Sequence, residues 1–226
     1  MGSEYVQKLL VIDNLHDIKY VYLTSENELT VIESEIFNLI KTKFETRIIK
    51  SIVKEQYSYF TKNEQMFIVG ESKKLISNTD VYSMVISKIH DYLKEESNLN
   101  IEGFINFRLR EYISVIGENV EKAVNEYINE CEYNYIIKAL TMHVEFQEAL
   151  VESVEIICYE DCYVVNDSDG KNIIIIYLFD DVLLDVLLTL APNSIVIKNH
   201  ELFINKELLK TLCNVFNNRV SLGLNS

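Results

Sequence analysis

Apolar residues recur along this chain first in short β-like clusters, then at helical spacing over more than a hundred residues, then in β-like clusters again. Lys8–Ile12, Tyr20–Thr24 and Leu29–Ile32 predict short strands, with Ser25, Glu26 and Asn27 as a turn between the last two. From Ser34, a suitable N-cap, the pattern turns helical: Ile36, Ile40, Phe44, Ile48 and Ile52 recur at a spacing of four, and Leu39 and Ile49 fill the same side. Further helices are predicted from about Asn63 to Ile76 and from Thr79 or Asp80, where Val81, Val85, Ile89 and Leu93 form an apolar stripe. Residues 101–148 read as two helices with a break near Gly117.

Beyond about residue 152 the pattern shortens. Glu155–Val165 and Lys171–Phe179 predict strands, joined by a hairpin turn at Asn166-Asp167-Ser168-Asp169-Gly170. A helix capped by Asp180 or Asp181 and ending before Pro192 follows, then a strand Ser194–Lys198, a helix Asn205–Phe216 and a strand Arg219–Leu222. The fold class expected is mixed α/β. A helical N-terminal and middle part with short N-terminal strands, residues 1–150, precedes a C-terminal α/β module, residues 151–226. That module is expected to hold a βαβαβ-type sheet preceded by an antiparallel hairpin. Six glycines and one proline in 226 residues leave little for flexible linkers, so the two parts are expected to pack as one rigid unit.

Composition narrows the class. With 48% hydrophobic and 25% charged residues the chain can bury a core and is not of the disordered type. Glu4, Lys8 and Asp13 interrupt any secretory signal at the start, and the longest apolar run, Ile173–Phe179, is about a third of a membrane span. A cytoplasmic protein without membrane insertion is expected. The four cysteines are too few and too irregular for a disulfide framework and are expected to be mostly free, and buried.

Charge changes the picture more. The net charge is −14, and residues 101–191 hold 18 acidic groups against 5 basic ones. Phosphate-binding surfaces gain affinity from Lys and Arg, so this field argues against nucleic acid as partner and leaves a basic protein or a cation. The plainer reading is that these acids form solvated helix faces that keep the protein soluble.

Candidate chemistry is sparse. Parallel sheets bind ligands at the carboxyl ends of their strands, which singles out Asp180, Asp181 and Asn199 as ligand candidates; the two aspartates would equally serve as helix caps. Cys158 and Cys162, four apart on one predicted strand, would stand about 13 Å apart, too far to share a metal. The four histidines show no paired ligand spacing, and Asp167, Asp169 and Gly170 begin like a calcium loop but lack its later ligands. No nucleophile elbow or phosphate loop is present in the sequence, so no catalytic residue, metal site or cofactor is assigned and a non-enzymatic protein is favoured.

One segment is distinctive. Glu102-Gly103-Phe104-Ile105-Asn106-Phe107-Arg108-Leu109-Arg110-Glu111-Tyr112 carries a Gly-Phe, a Phe-Arg-Leu and a Tyr at a spacing that resembles the hallmark of the YtxC-like family of sporulation proteins. The similarity continues through Val120, Lys122-Ala123-Val124, Glu130, Glu132-Tyr133-Asn134, Ile137, Val144 and Gln147, and returns at Thr189-Leu190-Ala191-Pro192 and Asn205-Lys206-Glu207-Leu208. It covers roughly residues 100–222. Ala149-Leu150-Val151 departs from the Pro-Lys-like pair expected after Gln147-Glu148. The resemblance implies a role in endospore formation and implies no chemistry.

Within this segment Arg108 is expected on the same helical side as Phe104 and Glu111, held by a carboxylate such as Glu145 or Glu148. The residues expected to form an interaction surface are Phe104, Phe107, Arg108, Arg110, Tyr112, Glu126, Glu130, Glu132 and Tyr133. Two functions follow from the sequence: a protein-binding factor acting through the acidic helical region, or a small-molecule or metal sensor or enzyme using the strand ends of the C-terminal sheet.

Overall fold

The computed structural model describes residues 8–14, 17–177, 182–203 and 205–223. It is a mixed α/β structure with a three-stranded and a five-stranded sheet, and the chain forms two compact units, Met1–Asn129 and Glu130–Ser226. The sequence pattern divides the chain after residue 150; the packing divides it after Asn129.

In the first unit, β1 (Lys8–Asn14) pairs antiparallel with β2 (Asp17–Leu23) and parallel with β3 (Asn98–Asn100). The segment Leu29–Ile32, expected as a strand, lies inside α1 (Glu26–Leu39). Two local causes favour the helix. Ser25 Oγ accepts from the Glu28 amide, and the Glu28 carboxylate accepts from the Thr24 amide at 2.6 Å, so the Ser-Glu-Asn-Glu run satisfies the first-turn donors. Leu29, Ile32 and Ile36 then fall on one buried face, which extends the helical period back past Ser34.

α1 runs without interruption into a π-helical turn, Ile40–Phe44, and on into α2 (Glu45–Gln56). A π turn inserts one residue per turn and rotates everything beyond it. Up to its end the buried stripe is Ile36, Ile40 and Phe44; beyond it the buried stripe is Glu45, Ile49 and Val53, while Ile48 and Ile52 are half-buried. The expected spacing of four therefore holds only as far as Phe44.

α3 (Lys62–Ser77) opens with a complete capping box between Thr61 and Glu64, and α4 (Val81–Glu95) buries Val81, Val85, Ile89 and Leu93 as its sequence stripe predicts. α5 (Ile101–Arg108) is capped by Asn100. The break before α6 (Arg110–Phe146) comes at Leu109, not at Gly117, which lies inside α6. One glycine costs a helix interior only about 1 kcal/mol, less than the buried stripe Tyr112, Ile116, Val120 and Ala123 returns. The boundary between the units falls within α6.

In the second unit the strands β4 (Val151–Cys158), β5 (Cys162–Asp167), β6 (Asn172–Tyr177), β7 (Pro192–Lys198) and β8 (Val220–Leu222) form a sheet in the order β6-β5-β4-β7-β8. Its parallel trio is β4, β7 and β8, with β4, β5 and β6 antiparallel. The strand before α7 (Val182–Leu190) thus ends up at the far edge, and β7 pairs with β4 instead of with it. Glu155–Val165, read as one strand, is two: the chain turns between Cys158 and Cys162, with the Tyr159 amide donating to the Cys162 carbonyl. At the β5–β6 turn, Asp167 Oδ1 accepts from the Asp169 and Lys171 amides and Gly170 takes φ +78°. The core joins Val154, Ile156 and Val165 to Leu183 and Leu187 of α7, to Leu212, Val215 and Phe216 of α8 (Lys206–Phe216), and to Val144 of α6. All four cysteines are free, and only Cys158 is fully buried.

Candidate functional site

The distinctive segment builds a cleft in the first unit. Asn100 begins it: its Oδ1 accepts from the Gly103 amide at 2.7 Å while its Nδ2 donates to Asp13 Oδ2 at 2.8 Å, which ties the start of α5 to β1. A Cβ on residue 103 would stand 3.1 Å from that Oδ1, so a side chain there would press on the cap. Phe104 is buried and meets the Tyr92 ring edge-on at 5.1 Å. One turn on, the Arg108 guanidinium lies 6.0 Å from the same ring, and Phe107 is 71% exposed.

These side chains, with Lys88, Asp91 and Glu95 of α4, line a cleft of about 370 Å³ between α4 and α5. The lining combines an aromatic floor with a guanidinium, an ammonium and two carboxylates. It can hold a group of either charge through its opposite partner, and it contains no nucleophile beside a base. Arg108 and Glu111 are on different helices because the chain breaks at Leu109. Glu145 and Glu148, the partners expected for Arg108, belong to the other compact unit.

Arg110 is exposed in the first turn of α6, whereas Tyr112 is fully buried. The Tyr112 hydroxyl donates to Glu45 Oε2 at 2.5 Å, and the Tyr82 hydroxyl donates to the same oxygen at 3.0 Å. Burial, then the hydrogen bond and charge of Glu45, push the Tyr112 hydroxyl far above the ordinary tyrosine value. Sequence reasoning missed Glu45, because on an ideal helix its position falls beside the apolar stripe and only the π turn carries it inward.

The acidic candidates lie along α6. Glu126 is exposed in the first unit, and Glu130 and Glu132 are exposed in the second. None of the three is in a salt bridge among the described residues, and every residue from Asn129 to Ile136 is exposed. The Tyr133 hydroxyl lies 3.0 Å from Thr211 Oγ1 of α8, which holds its ring against that helix while Tyr135 and Ile136 stand in solvent at 76% and 56% exposure.

Of the ligand candidates, Asp180 and Asp181 lie outside the described residues. Asn199 takes a left-handed backbone conformation at the end of β7, and its Nδ2 donates to the Cys158 carbonyl at 3.4 Å. Cys158 and Cys162 close the β4–β5 turn, and burial pushes the Cys158 thiol up to about 11. Among the described residues no three His, Cys, Asp or Glu side chains gather to hold a metal, and no described helix is long and apolar enough to cross a membrane.

The model of the YtxC-like family matches residues 30–221. The chain belongs to the YtxC-like family. The YtxC-like match takes in the cleft, the Glu45 cluster, all of α6 and the five-stranded sheet as far as Ser221, and it begins some seventy residues before the distinctive segment. No curated protein and no solved structure matches the chain. YtxC-like membership therefore supplies the family and leaves the activity to be argued from the surface.

Proposed function

We propose that this chain is a non-enzymatic, cytoplasmic binding protein of endospore formation that engages a basic protein partner through the exposed acidic and aromatic stretch of α6. The observation that carries the reading is the run Asn129–Ile136, in which a helix exposes every residue for more than two turns. Apart from the Tyr133 ring, which its hydroxyl holds against α8, this stretch gains nothing from the core of its own chain. Here it displays Tyr135 and Ile136 beside Glu130 and Glu132, which are in no salt bridge among the described residues. Large exposed apolar groups rimmed by charge are the composition of a protein-contact surface, and the acidic excess of residues 101–191 suits a basic partner and repels nucleic acid.

The test is charge reversal. A variant carrying Glu126→Lys, Glu130→Lys and Glu132→Lys should keep its circular dichroism and melt no lower than the native protein, because all three side chains are solvated and the change relieves like-charge repulsion. It should lose a partner that the native protein retains from sporulating cells, and it should lower the yield of heat-resistant spores. Unchanged capture together with an unchanged spore count would remove the α6 surface from consideration.

A further inference from the structure

We propose that the groove between α2 and α3 in the first unit is the docking site for an acidic amphipathic helix of a partner protein, distinct from the α6 surface and opposite to it in charge. The groove encloses about 530 Å³. Its floor is apolar, made by Val53 of α2 and by Met66, Val69 and Gly70 of α3, with Met66 70% exposed. Gly70 adds depth: a Cβ there would meet no atom within 4 Å.

The rim is made by four lysines, Lys50 and Lys54 on α2 and Lys62 and Lys73 on α3. None of the four is in a salt bridge or a hydrogen bond with a carboxylate among the described residues. In a chain with 35 acidic residues and 21 basic ones, four unpaired ammonium groups around one apolar floor are a local reversal of sign. The two helices are held in register at one end of the groove, where Gln65 Nε2 donates to the Phe60 carbonyl at 3.0 Å and closes the connecting loop.

Spacing chooses the occupant. Lys62 and Lys73 are eleven residues apart on α3, about 16 Å along its axis. A single-headed amphiphile such as a fatty acid would meet the lysines at one end and lay its hydrocarbon against those at the other. A helix of about three turns, with an apolar stripe flanked by Asp or Glu, meets the floor with the stripe and every lysine with a carboxylate.

The experiment is a selection with the full chain against a displayed library of helix-forming 16-residue peptides, randomised in Asp, Glu, Lys, Gln, Leu and Ala. The recovered peptides are then measured by fluorescence polarisation. Peptides with acids on both flanks of an i, i+4 apolar stripe should be enriched, and their affinity should fall at least tenfold at physiological salt in Lys50→Glu with Lys73→Glu. The same loss is expected in Gly70→Leu, which fills the groove with a better helix former, leaves every charge in place and gives a folded control. Absence of acidic enrichment, or affinity unchanged in both variants, would overturn the proposal. So would tighter binding of oleate or of phosphatidylglycerol vesicles than of the peptides, or a self-association that the lysine variant abolishes, since these would give the groove to a lipid or to a second copy.

Discussion

Tyr82 and Tyr112 both donate to one oxygen of the buried Glu45, and this convergence has consequences that single substitutions can read. Tyr112→Phe removes a hydrogen bond to a charged group and leaves the carboxylate desolvated, which costs about 1.5–3 kcal/mol and is measured as a lower urea midpoint with an unchanged slope. Alkaline pH acts on the same pair. Burial first, then the charge of Glu45, outweigh a lowering contact with Ser77 and push Tyr82 up to about 12, and Tyr112 is raised further. The unfolded chain loses these protons near the ordinary tyrosine value of 10, while the native state keeps them. Stability from this pair is therefore whole below pH 10 and falls as pH rises from there toward the native values. Urea midpoints taken across that interval should decline less steeply in Tyr82→Phe with Tyr112→Phe than in the native protein; an equal decline would assign the alkaline transition to other groups.

At the scale of elements, the π turn and the sheet edge carry the most consequence. The π turn converts one amphipathic stripe into two with different faces, and in doing so places Glu45 where Tyr112 can reach it. β6 is an edge strand whose Ile173, Ile175 and Tyr177 point to solvent, with no charged residue between Asn172 and Tyr177. Such an edge is a template for pairing with other chains. Ile175→Lys should raise the onset temperature of aggregation, followed by light scattering on heating, while changing the stability of the fold by no more than about 0.5 kcal/mol. A variant that scatters as early as the native protein would place the aggregating segment elsewhere.

For the whole molecule, charge sets the response to salt. With a net charge of −14 concentrated in residues 101–191, repulsion opposes the compact state and is screened as ionic strength rises. Raising NaCl from about 0.01 M to about 1 M shortens the Debye length from about 30 Å to about 3 Å. The melting temperature should rise, by about 2–4 °C for each kcal/mol of repulsion relieved. Neutralising Glu126, Glu130 and Glu132 to Gln should shrink that rise, and an unchanged response would show that the repulsion lies in other acids.

Sequence alone determined the elements whose signal is local. The α4 stripe Val81, Val85, Ile89 and Leu93, the Asp167–Gly170 turn and the mixed α/β class all follow from spacing and side-chain hydrogen bonds within a few residues. The family was legible for the same reason, in one contiguous segment whose Gly, Phe and Tyr meet their neighbours through α5 and the start of α6. What needed the tertiary structure was everything that depends on elements remote in sequence. Leu29–Ile32 is as apolar as a strand, and although the cap before it is local, burial of its face in the core of the first unit completes the choice of helix. The place of β7 beside β4 depends on which strand edge was open, a choice no local pattern records. The cleft at Arg108, the carboxylate of Glu45 and the four lysines between α2 and α3 come together only when helices pack, because side chains that meet across helices share no period along the chain.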